Sequence, residues 1–396
     1  MKNLLMTAAV CAAACTMAAD TGPVPERKAV TVAVQKNVED GWAWMMSTWH
    51  PGTGMLYGCP AEKVQPAKDF ANGLLKWYKG CPHGYGRGIG DCAIVSGVSL
   101  SMLCDQYAVT KAPAVKDDAK KVAFGLLNLA RSHGYKGFVA RGLCAEDGKS
   151  ICALSSRDQV THWVHGLWRY STNDWADTET KADFAKLCVE VAGLMLRNVT
   201  PENEYNFLQA DGSKDPRGIC TMWGPKVYPH EAARLPMIYA VAWKMSGDVK
   251  WRDLYEKYID EALDITLTIE DKPTKTWAGV MPTYSLLQMN TSLEVLLGIE
   301  RNPVRRARME DAARYAARMA DERAMDMMAH PEKKYYGLCV DGEIALAQLM
   351  APGWAYSADE RAYLLRGLER PLTRSGVFNA SHMAAAYWRA RVNGVL

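Results

Sequence analysis

Phenylalanine is scarce in this 396-residue chain, with 6 residues against 13 tryptophans and 18 tyrosines. A core that needs only apolar bulk uses Phe freely. Trp and Tyr add a polar handle to a flat apolar face, which suits contact with the C–H faces and hydroxyl rims of sugar rings. Charge of one sign is also lacking: the net charge is +3, too small to argue for nucleic acid or an anionic membrane as partner. Runs of alternating β-branched residues are missing, which argues against a β-rich fold. No Cys-x-x-Cys pair is present, so a structural zinc site is not expected. The absence of a Gly-x-Ser-x-Gly elbow speaks against a serine hydrolase of that type. No repeat of fixed period, linker or low-complexity tract interrupts the chain. After the first residues, no stretch reads as long and apolar enough for a membrane helix.

The N-terminus has its own pattern. Lys2 precedes an apolar run over 4–17, and the small residues Ala18 and Ala19 stand before Asp20. This predicts a signal peptide over 1–19 and an exported protein, leaving 20–396 as one domain. Cys15 after Ala13-Ala14 leaves a lipid anchor as the alternative to simple export. Of the 11 cysteines, Cys11 and Cys15 fall in the signal. Export permits disulfides, and Cys59 with Cys81 and Cys144 with Cys152 are candidate pairs in Gly-rich loops. Cys92, Cys104 and Cys188 read as buried thiols.

Helical periodicity dominates the remainder. It predicts helices near 32–48, 91–108, 116–133, 158–171, 178–198, 230–246, 249–268, 284–299, 303–325, 341–350, 357–368 and 380–392. Short connections such as 247–248 and 300–303 alternate with long Gly- and aromatic-rich ones at 50–90, 134–157, 199–229 and 269–283. That alternation predicts an all-α fold of six hairpins closed into a ring, an (α/α)6 toroid with its long loops at one end. Long loops in a compact domain usually carry function. Trp77, Tyr78, Tyr85, Trp163, Trp223, Tyr228, Trp277 and Tyr284 fill or flank these loops, either as cleft walls or as ordinary core.

Three segments hold candidate chemistry. In the first, Ser155 or Ser156 is placed to cap a helix on which Asp158, His162, His165 and Arg169 recur at i, i+4, i+7 and i+11. These form one polar stripe. Lys and Glu, common on solvated faces, do not occur between residues 157 and 170, so the stripe is expected to line a cleft. A solvated outer face is the alternative. In the second, the glycines of His83–Cys92 permit positive φ and lead to Asp91 at a helix start. With no strand before it, the Gly-x-Gly-x-Gly pattern is not a nucleotide site. Asp91 is then either a simple N-cap or a second carboxylate at the cleft rim. The third is His230, Glu231 and Arg234, which either hold a helix end or grip a substrate carboxylate, as Arg141 could from the 137–142 loop. Asp158, His162 and His165 do not match zinc-helix spacing. No metal and no cofactor are expected.

The six-hairpin ring, the Gly-rich loop running into Asp91, and Arg157-Asp158-Gln159 at a helix start resemble the secreted six-hairpin glycosidases. The nearest are the unsaturated glucuronyl and rhamnogalacturonyl hydrolases and related glucuronidases. The architectural likeness spans most of the mature chain; the motif likeness rests on Asp91, Arg157 and Asp158. It implies that Asp158 acts as general acid and then base, assisted by Asp91. His162 and His165 depart from that pattern and suit toroidal polysaccharide lyases, which use His and Tyr. The expectation is a hydrolase of uronic-acid-containing oligosaccharides. Arg141 and Arg157 would hold the sugar carboxylate, and Tyr85, Trp163, Trp223, His230, Glu231 and Arg234 would complete the binding surface. The alternatives are a lyase using His162 or His165 with Tyr85 or Tyr170, and a glycan-binding protein without a reactive pair.

Overall fold

The computed structural model of the protein describes residues 24–76, 84–270, 281–332 and 340–396, with side chains from residue 32. The signal-peptide segment, Trp77, Tyr78, Cys81, His83, Trp277 and Cys339 lie outside the described residues.

Twelve α-helices are present among the described residues, paired in sequence as outer and inner arms of six hairpins. They are α1 (Val24–Met46) with α2 (Cys92–Thr110), α3 (Pro113–Arg131) with α4 (Arg157–Ser171), α5 (Thr178–Asn198) with α6 (Arg234–Ser246), α7 (Val249–Leu267) with α8 (Thr283–Ile299), α9 (Pro303–Ala329) with α10 (Asp341–Leu349), and α11 (Ala358–Leu368) with α12 (Gly376–Val392). The even helices pack on one another in the order α2, α4, α6, α8, α10, α12 and back to α2. This is the toroid that the loop alternation predicts. The connections into α2, α4, α6, α8 and α10 are the long ones, and all six inner N-termini share one end, the mouth.

Sequence chemistry sets the arms apart. Outer α7 buries Trp251, Tyr255, Ile259, Ala262, Leu263 and Thr266, one stripe at helical spacing. Inner α2 is apolar nearly all round. It is long and apolar enough to cross a membrane, contrary to the sequence reading, yet 78% of its apolar window is buried within the ring. Asp177, Asp248 and Asn302 accept bonds from the first-turn N–H groups of α5, α7 and α9. Ser156 occupies the N-cap position of α4 without a side-chain bond, and Ser155 Oγ donates to Val139 O at 2.6 Å instead. Helix α6 starts at Arg234 rather than 230, because residues 229–233 form turns. Pro236 sits in its first turn, where no N–H is needed.

The expected Cys144–Cys152 disulfide is not formed; both are free thiols. Cys152 sits in β2 (Ile151–Cys152), held against Leu75 of β1 (Leu74–Leu75) by parallel pairing. Cys144 Sγ donates to Gln65 O at 3.6 Å. Cys92, Cys104 and Cys188 are buried as expected.

Helices α2 and α4 touch backbone to backbone. A methyl group on Gly97 would run into the carbonyl of His162, and one on Gly166 into Gly97 itself. Gly97→Ala is therefore expected to cost about 1–3 kcal/mol through overpacking, read as a lower denaturant midpoint; an unchanged midpoint would show that the two helices separate freely.

The end opposite the mouth is closed by charge. Arg169 and Arg389 each bridge Asp105 and Glu294, and His165 Nε2 lies 2.6 Å from Glu294 Oε2. All five side chains are buried or nearly so. Burial works to raise the Glu294 carboxyl, but Arg389 and Arg169 outweigh it and hold it well below the usual range. Between this layer and the mouth a void of about 20 Å³ lies on the axis, bordered by His162 and His165.

Candidate active site

At the mouth, side chains from the inner helix starts converge. Arg234 Nη1 donates to Asp158 Oδ1 at 2.5 Å, and Arg234 Nη2 to Gln288 Oε1 at 2.6 Å, tying α4, α6 and α8 together. Across the ring from α4, Glu343 on α10 accepts from Thr283 Oγ1 at 2.5 Å, and Thr283 Oγ1 also accepts from Val340 N at 2.9 Å. Tyr284, at the start of α8 beside Thr283, is partly exposed, and burial, with the nearby charge of Asp158, raises its phenol. The polar stripe thus faces the axis rather than the outside.

The two carboxyl groups sit in opposite electrostatic settings. Burial works to raise Asp158, but Arg234 and Arg157 overcome it and hold the group down to about 2. Glu343 is 2% exposed, and among the described residues no cation acts on it. Burial pushes it up to about 8, Thr283 offsets part of this, and the charge of Asp158 adds to the rise. At neutral pH Asp158 is ionised and Glu343 is protonated.

Asp91 stands at the rim, its side chain 48% exposed. It occupies the N-cap position of α2 but makes no capping bond. Its Oδ1 accepts from Arg141 Nη1 at 3.0 Å and from Gln159 Nε2 at 2.8 Å. The carboxylate therefore turns toward α4, and the N-cap alternative does not hold. Gly84, Gly86 and Gly88 adopt φ of +76°, +92° and +77°, which lets the loop fold over this rim. A cleft of about 460 Å³ opens there between the starts of α2 and α12, with Tyr85, Asp91 and Phe378 on its wall.

Comparison of the sequence with family models and with curated proteins finds no match. Solved structures do resemble the fold. A β-1,3-1,4-glucanase from Paenibacillus sp. X4 aligns with TM-score 0.51 at 8% identity, covering 92% of each chain. A cellobiose 2-epimerase from Spirochaeta thermophila aligns with TM-score 0.50 at 12% identity, covering 94% of this chain and all 100% of that one. The architecture is shared. At such identities the likeness is one of fold alone.

The remaining residues predicted from sequence divide into three groups. Asp158, Asp91, Arg157, Arg234, Tyr85, His230 and Glu231 gather at the mouth. The guanidiniums there are already engaged: Arg157 pairs with Glu231 and donates to Gly218 O, Arg234 holds Asp158, and Arg141 holds Asp91. His230 Nε2 lies 3.3 Å from Glu231 and its ring stacks on exposed Tyr228. Arginines expected to grip a substrate carboxylate thus orient protein carboxylates instead. Tyr85 stacks on Arg141, whose Cζ lies 3.5 Å from the ring centroid. His162 and His165 fall deeper on the axis, His165 within the closed-end charge layer. Trp163 and Trp223 lie in the core, a correction of the sequence reading. Trp163 is fully buried, donates to Leu126 O at 2.7 Å and packs on Phe184. Trp223 packs edge-on against Tyr258. Tyr170 is also remote, donating to Asp177 at 2.7 Å.

Glu343 and His382 were not singled out from the sequence. Each heads an apolar run of an inner helix, Glu343 before Ile-Ala-Leu-Ala and His382 before Met-Ala-Ala-Ala. That contrast is the signal a sequence reading could have used.

Proposed function

We propose that the protein is an exported carbohydrate-processing enzyme that hydrolyses a glycosidic linkage in a uronate-containing oligosaccharide. Glu343 gives the proton and Asp158 supplies the ionised carboxylate. One observation carries the reading: carboxyl groups at the starts of α4 and α10, opposite members of the ring, are held in opposite protonation states. Glycoside hydrolysis asks for this division, an acid for the leaving oxygen and a negative charge for the oxocarbenium-like transition state. Tyr284 and Tyr228 offer exposed aromatic faces at the mouth for stacking a sugar ring. The sequence reading gave the donor's part to Asp158. The ion pair with Arg234 favours the charged form of Asp158, so the proposal passes that part to Glu343 and keeps Asp91 as a rim carboxylate. The β-1,3-1,4-glucanase of the same architecture is consistent with hydrolysis on this scaffold.

The test is a panel of uronate-containing and neutral oligosaccharides assayed for new reducing ends. Asp158→Asn is expected to lower kcat by about 100-fold or more, with folding checked by thermal melts because Arg234 loses its partner. Full turnover by this variant would remove Asp158 from the mechanism. Ultraviolet absorbance from a new carbon–carbon double bond would identify a lyase and overturn hydrolysis.

A second reading rests on His382. Its Nδ1 lies 2.8 Å from Phe378 O, and burial pushes the ring down to about 4. His162 is lowered well below the ordinary value by burial and by His382 beside it, the ring centroids being 6.4 Å apart. Two neutral imidazoles on the axis suit proton abstraction from a sugar carbon, as epimerisation or β-elimination needs. Deuterium entering a sugar carbon in heavy water would favour it over hydrolysis.

A further inference from the structure

The arginines at the mouth are occupied by protein carboxylates, so recognition of an acidic sugar needs cations elsewhere. A second cavity of about 600 Å³ lies between the ends of α9 and α11 and the starts of α10 and α12. Arg366, Arg370 and Arg374 line it, spaced four residues apart over the last turn of α11 and the link to α12. Among the described residues that line the cavity one carboxylate faces them, Asp341, which accepts from Tyr363 Oη at 2.5 Å and pairs with Arg370 at 3.0 Å. Arg366 lies over the Tyr363 ring, its Cζ 5.2 Å from the centroid. Neither Arg366 nor Arg374 pairs with a carboxylate among the described residues. The wall is therefore net positive, in a protein whose overall charge is only +3.

Two further features favour an anion here. Asn379, on the first turn of α12, lines the cavity and brings a neutral amide that can donate. Helix α12 has no side-chain cap, so its positive end and first N–H groups add to the field of the arginines. The position also fits. Asp341 lies two residues before Glu343 on α10, and Asn379 adjoins Phe378, which walls the 460 Å³ cleft at the rim. The two cavities thus flank the start of α12.

We propose that this basic cavity is a subsite for an acidic unit of the glycan, a sugar bearing a carboxylate or a sulfate ester, held by the forked guanidiniums of Arg366 and Arg374. Its link to catalysis rests on the reading of Asp158 and Glu343 as the cleavage pair; its affinity for acidic sugars does not. The site sets which glycans are retained, while the mouth sets where they are cut.

The test is calorimetry on the full chain in a Glu343→Gln background, which slows turnover. The probes are a galacturonate tetrasaccharide, a sulfated chondroitin tetrasaccharide and neutral cellotetraose. The acidic probes are expected to bind at least about tenfold more tightly than the neutral one, with affinity falling as salt rises. Binding of galacturonate assigns the site to carboxylates; binding of the sulfated probe alone assigns it to sulfate esters. Arg366→Gln/Arg374→Gln is expected to raise Kd for the acidic probe at least tenfold and leave the melting temperature unchanged, because both side chains reach solvent. The charge reversal Arg374→Glu is expected to raise it further. Equal binding of acidic and neutral probes, no binding of either acidic probe, or an unchanged Kd in the double variant would each overturn the subsite. The two readings fail separately. Acidic probes held through these arginines but never cut by the native chain would leave the subsite standing and remove hydrolysis. Cleavage with KM unaffected by the double substitution would do the reverse.

Discussion

Glu343→Gln is expected to lower kcat by about 10²–10⁴-fold, the range for loss of a general acid, with little change in KM. Glutamine keeps the size and neutrality of the protonated acid and removes only the proton it can give. The native pH profile follows from the two carboxyl groups. Glu343 must hold its proton, so turnover should fall as pH rises past about 8. Asp158 must be ionised, and with its group held to about 2 its own titration sets no limit between mildly acid and neutral pH. Stability carries the same signature. Glu343 binds its proton more tightly folded than unfolded, so its contribution is complete below the unfolded carboxyl range, near ~4.3, and is lost as pH rises toward about 8. Glu343→Gln lacks this titration and should show a flatter stability profile over that window. Kinetics beside denaturant unfolding at several pH values check both effects. A variant turning over within a few-fold of the native protein, with an unaltered alkaline limb, would exclude Glu343 as the donor.

Glu294→Gln is expected to be the most damaging single change at the closed end, costing about 3–5 kcal/mol, the usual consequence of breaking a buried ion pair by removing one partner. Glu294 faces Arg169, Arg389 and His165. Without its charge, two buried guanidiniums share Asp105 alone. The contribution of Glu294 is present above the unfolded carboxyl value and is lost as pH falls, because its carboxyl is held well below the usual range. The variant should therefore lose most stability at neutral pH and differ less from the native protein in acid. This layer lies beyond the void that ends the axis, so kcat at low temperature should survive. A variant that stays fully stable but turns over slowly would give the His165–Glu294 pair a chemical part that its position here argues against.

Much of the candidate site was legible before any coordinates. Asp158, His162, His165 and Arg169 share one face by helical spacing, and the missing Lys and Glu correctly marked that face as inward. Asp91 emerged beside it because a glycine-rich loop can turn back only onto the end from which the long loops rise. Trp163 was misjudged for the opposite reason. It lies off the stripe by spacing, yet its residue type suggested a sugar wall, and only packing against Phe184 reveals a core ring. The arginines were recognised as carboxylate binders. Which carboxylate each would bind is a matter of contacts between helices far apart in the chain, such as Arg234 with Asp158.

The sequence by itself determined the all-helical ring, the alternation of short and long connections, and the inward face of α4, because these follow from local periodicity and turn chemistry. The tertiary structure decided the protonation of Asp158 and Glu343. One lies against two guanidiniums and the other does not, and a carboxyl group's charge depends on neighbours supplied by other helices rather than on the residues beside it in the chain.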